Sequence, residues 1–74
     1  MKTLREQASL RTIDVAYRLN VAESTVRNWD TGRTLPTLNP CEMLMLCQMY
    51  KVSLEQLAAI AMSSYEEHKR KIAE

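Results

Sequence analysis

The segment NVAESTVRNWDTGR, residues 20–33, sets two apolar side chains, Val26 and Trp29, three residues apart in a polar run, and it ends at the only glycine of the chain. A helix this short is marginal in water by itself, so the stretch is helical only if those two side chains dock one face of it on other segments. Gly32 then supplies the left-handed residue that closes it. The rest of the chain must provide the apolar surface, and the outward face of this helix is left polar.

The remaining sequence reads as helices separated by caps. One Gly and two Pro in 74 residues, with 46% hydrophobic and 26% charged side chains, suit a compact helical domain better than a β-sandwich rich in turns. Thr3 with Glu6 is a capping-box pattern and predicts a short helix from about Leu4 to Ser9, with Leu4 and Ala8 inward. Thr12 is predicted to cap a second helix, in which Val15, Ala16 and Leu19 share a face and which ends at Asn20. RTLPT, residues 33–37, is a loop. In LNPCEM, Asn39 caps, Pro40 sits in the first turn, Glu42 completes the box and Leu38 staples to Met43, so a helix runs to about Tyr50. VSLEQL repeats the device with Ser53, Gln56, Val52 and Leu57, and the last helix continues to about Lys71. The expectation is an all-α fold of about five helices.

Several function classes fall away at this level. MKTLREQASL carries charges where a secretion signal has an apolar run, and LAAIAM is far shorter than the ~20 residues that span a bilayer. A soluble, cytoplasmic protein without membrane contact is expected. Cys41 and Cys47 lie six apart on one predicted helix and so point about 120° apart. With His68 the only histidine, they form no metal set, and no metal or cofactor is expected. No Ser/His/Asp group, Gly-rich loop or placed carboxylate pair argues for an enzyme. The formal charge is +1, but residues 1–33 hold six Lys and Arg against four Asp and Glu, so the slight basic bias lies in the amino-terminal half.

Two helices joined by a three-residue turn, the second short and polar outside, describe a helix-turn-helix. In VAYRLNVAESTVRNWDTGR, Ala16 is the small residue at the helix crossing, Val21, Val26 and Trp29 are the inward contacts, and Asp30 with Gly32 gives an acidic-x-glycine ending. Pro36 and YKVSLEQL follow. On these residues the stretch from Leu4 to Leu57 resembles the Cro/C1-type (XRE) helix-turn-helix domain of phage repressors and bacterial regulators. It departs from that pattern in having Arg11-Thr12 where Ser/Thr-Gln is usual, Asn20 where Gly is usual, and a longer loop before the fourth helix. The resemblance implies a lambda-repressor-like DNA-binding domain over residues 1–62, followed by a carboxy-terminal extension of the last helix over 63–74.

It also implies a small transcriptional regulator, of repressor type, that binds double-stranded DNA in a sequence-specific way through a recognition helix at about 23–31. A major groove admits one α-helix, and the side chains near its amino end reach base edges. Glu23, Ser24, Thr25, Arg27 and Asn28 are therefore the candidate base contacts, and Arg11, Thr12 and Arg33 the candidate backbone contacts. Arg5 and Asp30 are expected as a structural pair that fastens the recognition helix. A homodimer is expected, with Leu54, Ala58, Ala61, Tyr65, His68 and Ile72 spaced as a coiled-coil seam, of which Tyr65, His68 and Ile72 lack a partner within the domain. The competing reading is a protein–protein interaction module, antitoxin-like or adaptor, on the same fold. Near-neutral charge and the apolar Ile13, Tyr17 and Met45 speak for it; peripheral packing of Ile13 and Tyr17 against the first helix is the plainer account of that pair.

Overall fold

The computed structural model describes residues 1–73. It is all-helical: α1 Lys2–Gln7, α2 Thr12–Leu19, α3 Glu23–Thr31, α4 Pro40–Tyr50 and α5 Leu54–Ala73. One face of each helix converges on a single core. Val15, Ala16 and Leu19 of α2 meet Val26 and Trp29 of α3, with Leu46 and Tyr50 of α4 and Leu57 and Ala61 of α5 closing the layer behind them. Met1 and Leu4 cover one end.

Two of the expected starts are corrected. The first helix begins at Lys2 rather than Leu4, with Met1 at its cap position and no side-chain cap, so Thr3 and Glu6 form no box. The side chain of Met1 is buried, and burying it together with Leu4 fixes the entry of the helix where a hydroxyl cap was expected. In α2 the cap position belongs to Arg11, whose N–H donates to the Asp14 carboxylate at 2.9 Å, and Thr12 is the first helical residue. The other two boxes form as expected. Glu42 N donates to Asn39 Oδ1 at 2.8 Å, and Gln56 N donates to Ser53 Oγ at 3.1 Å.

Four helices end in the same way. Ser9, Asn20, Gly32 and Lys51 adopt left-handed backbone with φ of 58°, 55°, 79° and 57°. Behind each, the next N–H reaches back to a carbonyl of the helix: Leu10 to Arg5, Val21 to Ala16, Arg33 to Asn28 and Val52 to Cys47, at 2.9–3.1 Å. Three of the four following side chains, Leu10, Val21 and Val52, are apolar and pack on the core. That burial offsets the roughly 1–2 kcal/mol that left-handed backbone costs a residue with a Cβ. After α3 the following residue is Arg33, which is exposed, and there the left-handed residue is glycine.

The last helix is unbroken from Leu54 to Ala73 and so runs on through the segment expected as its extension. A Cβ on Gly32 would stand 2.2 Å from the Ser64 carbonyl oxygen. The end of α3 thus touches the α5 backbone in the segment expected to extend beyond the domain. Glu74 of that extension lies outside the described residues.

Candidate nucleic-acid interface

Val26 is fully buried and Trp29 is 3% exposed, so α3 is held by the two side chains whose spacing defines its inner face. Ala22 precedes it in extended conformation without a side-chain cap. The helix depends on docking. Its exposed residues Ser24, Arg27 and Thr31 are all polar, and Glu23, Thr25 and Asn28 are half-buried. Asn20 in its left-handed conformation reverses the chain, and α3 packs more extensively on α2 than on any other helix.

The Arg5–Asp30 pair forms. Arg5 Nε donates to Asp30 Oδ2 at 2.9 Å, and the two side chains are 12% and 7% exposed. A second guanidinium nitrogen donates to the Leu10 carbonyl at 2.9 Å, so one arginine holds both the connection after α1 and the third turn of α3. The remaining oxygen of Asp30 and the hydroxyl of Tyr50 are buried and lack a partner among the described residues. Burial, reinforced by the Asp30 charge, pushes the Tyr50 phenol up to about 12.

The candidate base and backbone contacts fall into two groups. Thr12 Oγ1 donates to Glu23 Oε1 at 3.2 Å, and Arg27 donates to the same oxygen. Thr12, Glu23 and Arg27 therefore form one polar chain across the amino ends of α2 and α3. Arg11, beside it, is exposed and chelates Asp14 through two nitrogens at 3.2 and 3.3 Å. The Arg11 hydrogen bonds hold the Asp14 carboxyl below its ordinary range, and the Arg11 guanidinium is raised in return. Arg33 stands at the opposite end, exposed, with its N–H on the Asn28 carbonyl.

Sequence reasoning missed the place of Glu23 as the hub of this chain. Its i,i+4 spacing to Arg27 was a visible signal; its contact with Thr12 follows only from the crossing of the two helices. Tyr17 and Ile13 are 86% and 47% exposed, so Tyr17 does not pack on α1 and the pair stands on the outer face of α2. Tyr65 and His68, expected to lack a partner within the domain, are half-buried instead; Ser64 and His68 line a polar cleft with Asp30 and Thr31. Ile72 is 72% exposed. Cys41 is exposed, Cys47 is buried, and both are free thiols. Among the described residues no helix is long and apolar enough to cross a membrane.

No protein-family model, curated protein or solved structure matches the chain.

Proposed function

We propose that the chain is a sequence-specific double-stranded-DNA-binding protein, a Cro/C1-type transcriptional regulator of repressor type that works as a cytoplasmic homodimer and carries no enzymatic activity. The observation that carries this reading is the division of α3: the inner face is closed by Val26, Trp29 and the Arg5–Asp30 pair, and the outer face exposes only polar side chains on a unit of two helices and a three-residue turn. The helix is rigidly held yet offers nothing apolar outside, which suits a groove lined with hydrogen-bonding base edges.

In this reading Ser24 and Asn28 meet base edges, with Asn28 suited to adenine, and Thr25 lies beside them. Arg27 exchanges Glu23 for a guanine or a phosphate, which leaves Glu23, still held by Thr12, able to accept from a cytosine amino group. Arg11, the Thr12 backbone at its helix start, and Arg33 fix the phosphates on either side. Binding to mixed duplex DNA at two salt concentrations tests the reading, because phosphate contacts make affinity fall steeply with salt. Ser24→Ala and Asn28→Ala are expected to weaken a selected site by about 1–3 kcal/mol and leave non-specific binding unchanged. Absence of salt-dependent duplex binding overturns it.

The exposure of Tyr17 and Ile13 favours a second reading, in which the fold serves chiefly as an interaction module and α2 meets another protein. The same salt titration separates the two.

A further inference from the structure

Ion pairing is uneven over the surface of the molecule. Lys2–Glu6 on α1 and Lys71–Glu67 on α5 are loose pairs between well-exposed groups, at 3.9 and 4.0 Å. At the amino ends of α2 and α3 the pairs are hydrogen-bonded. Arg11 is held by both oxygens of Asp14 at 3.2 and 3.3 Å, and Arg27 donates to Glu23 Oε1. Glu23 is itself tied down, because Thr12 Oγ1 donates to the same oxygen from the neighbouring helix. Of the three arginines placed on the candidate interface, Arg11, Arg27 and Arg33, only Arg33 forms no ion pair among the described residues.

We infer that Asp14 and Glu23 are built-in counterions of this face, which hold down its binding to DNA of arbitrary sequence. The inference rests on the DNA reading of the proposed function and adds to it two carboxylates that regulate the grip on phosphate. A guanidinium gains affinity for a random phosphate by releasing a condensed cation from the duplex. One that already sits on a carboxylate must first give up that partner, and it leaves a negative charge beside the phosphates. A surface ion pair and a single phosphate contact are both small and of similar size, so the pairing cancels most of what Arg11 or Arg27 would gain on random DNA. Position matters as well as charge. Asp14 and Glu23 touch the arginines they neutralise, whereas a carboxylate more than a Debye length away, about 10 Å at 0.1 M salt, is largely screened from them.

Fluorescence anisotropy of a labelled random-sequence duplex, at about 50 and about 200 mM salt, tests this with the full chain. Glu23→Gln and Asp14→Gln each remove one negative charge, and glutamine at position 14 keeps the side-chain acceptor that closes the α2 capping box. Every variant is first checked for a cooperative helical melt; the two carboxylates lie on different helices, so if one variant does not fold the other carries the test. Each is expected to bind the duplex about ten-fold tighter than wild type at the lower salt. Each should also lose about 3.5-fold more affinity than wild type on going to the higher salt, the increment of one added phosphate contact. Glu67→Gln makes the same change of charge beside Thr31, at the opposite end of α3, and is expected to shift binding by less than about two-fold. Glu23→Gln/Arg27→Gln should return to the wild-type level, because the gain belongs to the freed arginine. Carboxylate variants that bind no tighter than a salt-sensitive wild type overturn the inference and leave the DNA reading standing. An equal gain in Glu67→Gln, or a gain that survives the loss of Arg27, overturns it too, by assigning the effect to net charge or to plain repulsion. No duplex binding by any of these proteins at the lower salt removes the DNA reading and the inference with it.

Discussion

Helices α3 and α4 are of similar length and are stabilised in opposite ways. Glu23–Thr31 has no side-chain cap and a polar exterior, and is held by Val26, Trp29 and an ion pair to another helix. Pro40–Tyr50 starts with a complete capping box and leaves Leu44 and Met45 facing outward. A helix that presents a polar face outward gains only a few tenths of a kcal/mol from pairs on that face such as Glu23–Arg27, so its position depends on distant residues. A helix that specifies its own start is free to expose apolar surface for another contact. In this molecule, the side-chain signal for a helix start is complete in α4 and absent in α3, where the DNA role is proposed.

The largest effect that would sharpen the contrast is Trp29→Ala. Truncating a buried Trp costs about 3–5 kcal/mol, a large share of the stability of so small a domain, and thermal melting should show the helical signal lost at moderate temperature. An almost unchanged melt would mean that α3 does not depend on docking. Arg5→Ala comes next. It strands the buried Asp30 carboxylate and is expected to cost about 3 kcal/mol in denaturant unfolding, with the sequence preference of the folded fraction unaltered. Altered preference would place Arg5 among the DNA contacts.

Asn39→Ala probes the opposite regime, since it removes only the local cap of α4. A loss of about 1 kcal/mol is expected; a loss as large as that of Arg5→Ala would erase the distinction between the two helices. The smallest effect is that of Tyr50→Phe, at the joint between them. The hydroxyl is buried without a partner among the described residues, so its removal should leave stability at neutral pH unchanged or slightly higher. Because folding raises the phenol from 10.0 to about 12, the wild type keeps its full stability below pH 10 and loses part of it as pH rises from 10 towards 12. The Phe variant should lack that loss, and parallel pH titrations of the melting temperature would reveal it.

The sequence by itself determined the helical class, the capping boxes at Asn39 and Ser53, the inner face of α3 and the left-handed ends at Asn20 and Gly32, because each of these is written within a few consecutive residues. It also carried the Arg5–Asp30 pair, through family resemblance and not through spacing, and the homodimer and DNA roles remain proposals on the same basis. Tertiary structure decided what no local pattern records. Ser9 and Lys51 take left-handed backbone because Leu10 and Val52, next in the chain, gain core contacts by the reversal. Met1 starts α1 where a Thr3 cap was expected, because burial of its side chain outweighs a surface hydrogen bond. Glu23 became the link between Thr12 and Arg27, and the α5 backbone at Ser64 and Tyr65, in the part of the helix that looked free of the domain, lies against Gly32, because side chains and backbones distant in sequence meet only once the core has set the angle between their helices.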